Sequence, residues 1–597
     1  MTASPARNTG LPITLVLNLA GSKFDTDRIV SVETWSQANK VPRARITLLD
    51  GEADSGKFPL GEGDKFVPGT PISIEVGYES SSSVIHNGVI VSQAIRIVGG
   101  GPAHLVAESA DPLLAMTLGR RSVVLNKVTD ADLISTLVNA YQGTVGTNNA
   151  GTEQAESFVQ AHATDWDLML LRAEAGGCLV FVDDSKVDIL DPTSGGSPVL
   201  ELAYGDSIFA FDAAVDASDV LANDAVKSRA WSYADQKVAE QSAGGVSVNV
   251  PGNLKSTALA EVLGVSSFVQ QTAASRPESA LTAWSSAALM RSKLSQLTGT
   301  VRFQGSALAK PGKFVTLANL GDRFNGDAFV SGVSHYVRDG DWQTTIELGM
   351  PAKSFASRDP GIVDPPAAGL APPIRGLQIG QVKQVADDPN GDFRVLLTVP
   401  MIDGDNAIWA RLAQPYASNT FGWSFFPEVG DEVVLGFMNE DPASAVIIAS
   451  VYSNKRPPTH TPNKPNDVKA LVTRSKMEIN FNDKDIVFKV STPGGRYVTL
   501  DDKEKSVTVA DPFGNKLVMT QQSVDLISTA NMNIKSTANM NIDCGANLTI
   551  TAKAQCDTSA ASISSTAQTQ LEMTGTAKAT FKSSALVEIT GALVKIN

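Results

Sequence analysis

Two carboxylates flanking a tryptophan, Asp165 and Asp167 around Trp166, form the grouping that comes nearest to general acid–base chemistry. They open an apolar pattern of helical spacing, TDWDLMLLRAEAGG (164–177), with Thr164 as a ready N-cap and Gly176 and Gly177 at its end. Acidic residues in a first helical turn are favoured by the helix dipole, so capping and packing account for this pair. Asp183 and Asp184, ahead of Lys186, read as hairpin turn residues. The histidines, His86, His104, His162, His335 and His460, fall in unrelated segments without metal-ligand spacing. Cys178, Cys544 and Cys556 form no CxxC pair, and Cys178 reads as a small buried hydrophobe. No GxSxG, P-loop or dinucleotide glycine motif occurs. The expectation is a chain without catalytic residues, metal or cofactor.

The elements around these residues describe a β-rich protein. With 597 residues the chain exceeds what one core can serve, and several domains are expected. A net charge of -14 argues against nucleic acid as a partner, because phosphate binding needs clustered Lys and Arg. The first residues are too polar for a signal peptide, so cytoplasmic synthesis is expected, and no apolar run is long enough for a membrane helix. From Pro12 to Ala110 the segments ARITLLDG, TPISIEVGY, HNGVIVSQAIRIV and AHLVAESA alternate between Gly and Pro breaks, which predicts an antiparallel, barrel-like unit. Helices are predicted over 130–143, 164–177 and 279–299, the last ending at Gly299, with a hairpin over 179–190 and a loop or insertion around 235–255. The strands of 311–350 repeat the pattern of 68–110, so two related β barrels are expected. A Pro/Gly-rich linker (359–376) precedes a small barrel of the OB type, and a second proline cluster (455–466) closes that barrel.

The most telling pattern is STANMNIKSTANMNID (528–543), a near-duplicate octapeptide. Its apolar doublet recurs every eight residues: Val524 and Leu526, Met532 and Ile534, Met540 and Ile542, Leu548 and Ile550, then Cys556. After a one-residue slip the register resumes at Ile563, Leu571 and Met573, Phe581, and Val587 and Ile589. Residues at i and i+2 share one face of a strand. Each octad offers ~2 to 5 kcal/mol of burial against ~1 to 2 kcal/mol per residue of ordering entropy, so one chain alone cannot hold this stripe in place. Several identical chains wound about a common axis can, and three make a triangular β prism. Disorder has no need of a doublet in register, helix is disfavoured by the Thr, Asn and Ser content, and collagen by the missing Gly triplet.

Taken together, ADPLLAMTLGRRSVVLNKVTDADLISTLV (110–138), ATDWDLMLLRAEAGGCLVFVDD (163–184), the small barrel from Gly376 to Ser453 and the octad tail resemble the VgrG-type spike of contractile injection systems, a fusion of phage baseplate hub and tail-spike proteins. The resemblance implies a mainly β homotrimer. A hub (1–358) with two related barrels and helical insertions would give six barrels per trimer, matching a hexameric inner tube. A linker (359–376), an OB-fold collar (377–455), a second linker (456–480) and a trimeric triple-stranded β-helix needle (481–597) would follow. No room remains for the lysozyme domain of phage versions, and the chain stops at ALVKIN, which implies a blunt end. Val594, Lys595, Ile596 and Asn597 would then meet a PAAR-type tip protein, with the tube protein and baseplate at the other face and the target envelope touched only transiently. The expected function is puncture. The alternatives are a spike with a cryptic cell-wall hydrolase in the 110–290 region, or a trimeric adhesin.

Overall fold

Strand-forming alternation between Gly and Pro breaks dominates the first hundred residues, and the computed structural model, which describes residues 3–5, 10–99, 101–362 and 365–596, folds them as such. β1 (Ile13–Leu19), β2 (Ser22–Phe24), β3 (Ile29–Gln37), β4 (Arg43–Leu49), β5 (Pro71–Tyr78), β6 (Ser81–Arg96) and β7 (His104–Ala110) pair antiparallel around Leu17, Ile46, Ile74 and Leu105, all fully buried.

Two mixed insertions interrupt the β units. The first holds β8 (Arg120–Val128), α1 (Asp130–Asn139), β9 (Thr144–Asn148), β10 (Ala155–Thr164), α2 (Asp165–Ala175), β11 (Leu179–Asp183) and β12 (Lys186–Leu190). Thr164 Oγ1 accepts from the Asp167 N–H, as its N-cap position predicts. Asp184 and Ser185, both at positive φ, make the tight turn of the β11–β12 hairpin. The chain continues through β13 (Leu200–Ala203) and β14 (Ile208–Val215). The second insertion then adds β15 (Val226–Ser232), β16 (Lys237–Ser242), α3 (Ser256–Leu263), β17 (Phe268–Thr272) and α4 (Glu278–Leu294). The stretch around 235–255, read as a loop or insertion, lies in this insertion and contains a strand, β16, on a sheet edge with Lys237, Val238 and Glu240 exposed.

β18 (Leu297–Gln304), β19 (Phe314–Ala318), β20 (Gly326–Arg338) and β21 (Asp341–Leu348) complete the second unit. The short helix α5 (Phe355–Arg358) follows. Gly299 does not end a helix, since α4 stops at Leu294. It lies within β18, where a Cβ would sit 2.3 Å from the Asp212 carbonyl oxygen. Here glycine marks a close approach of strands, and the sequence offers the same letter for both purposes.

The duplication read from the sequence is carried into the hydrogen-bond register. One thirteen-stranded sheet runs β14-β18-β21-β20-β3-β4-β7-β6-β5-β1-β2, with β19 bridging β13 and β20. The order β14-β18-β21-β20 and the order β3-β4-β7-β6 are the same arrangement, each with its own core. Both halves carry one-residue bulges at matching points. β6 shifts between Ile90 and Ser92 against β7, and β20 shifts between Val330 and Gly332 against β21. β3 shifts between Ile29 and Ser31 against β4, and β14 shifts between Ile208 and Ala210 against β18. Past the first bulge a glutamate stands opposite in each half, Glu108 across from Ser92 and Glu347 across from Gly332.

Beyond the Pro/Gly-rich segment, β22 (Gln378–Gln384), β23 (Val395–Val399), β24 (Asp403–Leu412), β25 (Glu432–Phe437) and β26 (Ala445–Ser450) close a five-stranded barrel in the order β22-β23-β24-β26-β25. Its core includes Val395, Leu397, Val433, Leu435 and Ile447, each fully buried. In the β22–β23 turn, Arg394 donates from Nη2 (2.6 Å) and Nε (3.1 Å) to the two carboxylate oxygens of Asp388.

Contacts divide the chain into two units, Met1–Val451 and Tyr452–Asn597. The second is a single antiparallel meander: β27 (Val468–Val472), β28 (Glu478–Asn482), β29 (Val487–Ser491), β30 (Tyr497–Asp501), β31 (Ser506–Ala510), β32 (Lys516–Met519) and β33 (Val524–Ile527). It starts inside the segment read as a linker over 456–480. From 528 to 596 the described chain pairs with nothing as a strand, yet it bends at 529–530, 537–538, 545–546 and 553–554, and again, after one short step at 561, at 568–569, 576–577 and 584–585. This is the octad of the sequence, slip included, written in the backbone.

Two stability predictions follow from the first unit. Leu397→Ala opens a cavity in the small barrel and lowers unfolding stability by about 2–5 kcal/mol, read from denaturant titration. His86 and His335 are buried, with Nε2 2.9 Å from Ser109 Oγ and Nδ1 2.9 Å from Thr344 Oγ1, and burial pushes both rings from 6.5 down to about 4. Below 6.5 the unfolded chain takes up these protons before the fold does. Stability is therefore full above 6.5 and falls as pH drops towards 4. Urea midpoints between pH 7 and 4.5 should decline, and His335→Gln should flatten its share of the slope.

Candidate assembly surfaces

An apolar doublet every eight residues needs something to face, and within one chain it faces water. The exposure of Val524, Leu526, Met532, Ile534, Met540, Ile542, Leu548, Ile550, Ile563, Leu571, Met573, Phe581, Val587 and Ile589 runs from 44% at Met532 to 73% at Ile550, and Cys556 is exposed too. Val594, Lys595 and Ile596 are likewise exposed, while Asn597 lies outside the described residues. Polar residues between the doublets shape the bends. Ser536 Oγ accepts from the Ala538 N–H and donates to the Asn539 carbonyl, and eight residues on Cys544 Sγ donates to the Asn547 carbonyl at 3.0 Å. Cys544 thus serves a bend rather than the stripe. In the meander, Val490, Val498, Val509, Leu517 and Leu526 line a shallow groove of about 770 Å³ that Ile534 extends.

A second apolar surface was not singled out from the sequence. The connection between β24 and β25 carries Tyr416, Phe421, Trp423, Phe425 and Phe426, all exposed. The loop is ordered by the Trp423 N–H donating to the Tyr416 carbonyl at 2.8 Å, and its rings pack in pairs, Tyr416 with Phe421 and Trp423 with Phe425. Five aromatics within eleven residues, in a chain only 6% aromatic, were the available signal.

The groups that could have done chemistry are held apart. Asp165 is buried and takes hydrogen bonds from Arg121 Nε (2.7 Å), Gln160 Nε2 (2.8 Å) and Tyr141 OH (3.0 Å), which fixes the start of α2 on β8 and β10. Asp167 lines a cleft of about 640 Å³ with Trp35, Trp166, Arg43 and Arg358. Cys178 is buried with Sγ 3.2 Å from the Asn149 carbonyl, and burial pushes its thiol up to about 12, which suits packing and not nucleophilic attack. His460 Nε2 lies 2.8 Å from Glu478 Oε1, far along the chain from the buried His86 and His335. Among the described residues no three His, Cys, Asp or Glu side chains group as a metal site, and no helix is long and apolar enough to cross a membrane.

With this architecture in hand, residues 11–339 match the sequence family described as the Alg8 N-terminal domain, a span from β1 through β20 that includes both insertions. Residues 378–452 match the type VI secretion system/phage-baseplate injector OB domain, which coincides with the closed barrel and with the position expected for an OB collar in a VgrG-type spike. No curated protein matches the chain. Similar solved structures include a 43 kDa tail protein of prophage MuSo2 from Shewanella oneidensis, at 11% identity and TM-score 0.43, covering 57% of this chain and 99% of that one. A tail protein from Neisseria meningitidis matches at 13% identity and TM-score 0.42, covering 59% and 98%. A type VI secretion system component from E. coli matches at 14% identity and TM-score 0.35, covering 73% and 99%. The chain belongs to the family of the Alg8 N-terminal domain, and behind that domain it carries the injector OB domain shared by type VI secretion systems and phage baseplates.

Proposed function

We propose that three copies of this chain form the spike at the front of the inner tube of a contractile injection system. The hub region joins the hexameric tube and the baseplate, the OB barrel forms a collar, and the tails wind into a triple-stranded β-helix that pierces the target envelope. The observation that carries this reading is the second unit's lack of an interior: apolar doublets recur at a fixed period in a backbone that bends at the same period, and all of them face solvent. Facing their copies across a common axis buries them, and pairing with neighbouring chains supplies the strand hydrogen bonds that 528–596 lacks in isolation. The octad slip falls at one place in every chain, so three identical chains stay in step.

Puncture follows from the same geometry. A rod whose strands are bonded around all three sides must lose many hydrogen bonds together before it buckles, which gives it kinetic resistance to unfolding under load. Val594, Lys595, Ile596 and Asn597, beyond the last doublet of the stripe, are proposed as the contact with a PAAR-type tip protein. The role is mechanical and structural, and no catalytic step is assigned to Asp165 or Asp167.

Substituting Ile534→Asp or Ile542→Asp places three carboxylates on one axis, where unpaired burial is costly. Light scattering should report a trimer for the parent chain and its loss in either variant, and negative-stain images should show a threefold rod that the variants lack. A variant that keeps both the trimer and the rod overturns the stripe assignment. Turnover of peptidoglycan by the purified protein would support the hydrolase reading in its place.

A further inference from the structure

Two clefts of the first unit share a border. One, of about 640 Å³, is walled by Trp35, Trp166 and Phe355 and carries Lys40, Arg43 and Arg358 against Asp167 and Asp359. In a chain of net charge -14, three cations against two carboxylates reverse the sign locally. The other cleft, of about 510 Å³, carries the carboxylates of Asp216, Asp219 and Glu347. Lys40, Met350 and Arg358 line both, so cations stand between an aromatic end and an acidic end.

The aromatic walls are fixed. Trp35 stands directly across from Arg43 in the β3–β4 ladder, and the Arg45 guanidinium lies 5.6 Å from the centre of its ring. Arg45 is itself occupied by Glu108, at 2.8 Å. The Phe355 N–H donates to Glu174 Oε2 at 2.7 Å, and Asn39 Nδ2 donates to Glu174 Oε1 at 3.3 Å, which ties α5 and the β3–β4 turn to α2. The charged groups are free by comparison. Among the described residues the side chains of Arg43, Arg358, Asp167 and Asp219 have no hydrogen-bond or ion-pair partner. A compact ligand fills one cleft of this size, whereas charge that changes sign along two adjoining clefts suits an extended chain.

We propose that this trough binds an extended segment of a partner protein, with an acidic residue beside an apolar one at Arg43, Trp35 and Trp166 and a basic residue at Asp216 and Asp219. A carboxylate there takes charge-assisted hydrogen bonds from the guanidinium groups, and its apolar neighbour covers the indole rings. Every wall comes from a single chain, so the binding stands independently of the trimeric reading above.

The test is fluorescence anisotropy of labelled synthetic peptides with the full-length chain. Two probes carry an acidic–apolar block and a basic block at opposite ends, one in each order, and a third has the same composition with its charges interleaved. One block order should bind saturably and about tenfold more tightly than the interleaved probe, the worth of one charge-assisted hydrogen bond, and added salt should weaken it. Arg43→Glu with Arg358→Glu, both exposed in the parent, should remove that preference. Asp219→Lys should transfer it to a probe that is acidic at both ends. No saturable binding of either block order, equal binding of the interleaved probe, or parental binding by the double variant overturns the proposal. Binding by the Ile534→Asp chain but not by the assembled parent shows that a neighbouring copy fills the trough, and overturns the partner assignment.

Discussion

None of the hydrophobic cores among the described residues reaches past Ile447, although large apolar side chains continue regularly to Ile596. Burial of apolar surface is the main force opposing chain entropy, so a segment without an interior has to borrow one. The meander β27–β33 already shows the problem. Its strands satisfy one another's hydrogen bonds, but Phe481, Val498, Leu500 and Val509 remain more than a third exposed because nothing covers that layer. Past Ile527 even the neighbouring strand is missing. What persists is the part of the structure that is local, the bend every eight residues held by Ser536-type and Cys544-type contacts. In the proposed assembly the non-local part comes from other copies of the chain.

The first unit is built on the opposite principle. It buries its own cores, and its incompleteness is confined to strand edges. Repetition explains why. A unit copied in tandem, with its bulges at matching points, inherits the same edges twice: one pair is used internally at β20 and β3, and one pair is left over. The insertions leave this arrangement intact because they enter at connections. The first follows β7, and the second separates β14 from β18 where the first copy has only a short turn between β3 and β4. Arg172 ties α2 to α1 through both carboxylate oxygens of Asp130, at 2.7 and 2.8 Å, so the first insertion is stabilised within itself.

Legibility followed the range of the interaction. Thr164, Gly176, the Asp184–Ser185 turn and the octad were readable because each depends on residues a few positions away. The duplicated β unit was readable from its turn residues, and the register then supplied what letters could not, namely which edges remain open. The misplaced features all depend on distant neighbours. Gly299 looks like a helix terminator until Asp212 and Ala213 are seen across from it. The stretch of β16 reads as loop or insertion, and the strand inside that insertion shows only once β15 pairs with it. The aromatic run Tyr416–Phe426 was overlooked because a short irregular connection carries no periodicity to flag it.

The same ordering decides what the polar groups first noticed for their charge do in the fold. Asp165 was noticed for its charge, but its three hydrogen-bond donors come from β8, β10 and the end of the first helix, so its charge is spent on holding those elements together. His86 and His335 are likewise enclosed by the two β units, His86 against the Ser109 hydroxyl and His335 against the Thr344 hydroxyl and the Trp342 indole N–H, and burial keeps them neutral near physiological pH. Polar residues in this chain therefore act mainly on its own architecture, and the surfaces left unsatisfied are apolar stripes and strand edges. Those are surfaces of the kind that copies of a chain can offer to one another, and on the proposed reading function is a property of the assembly they form.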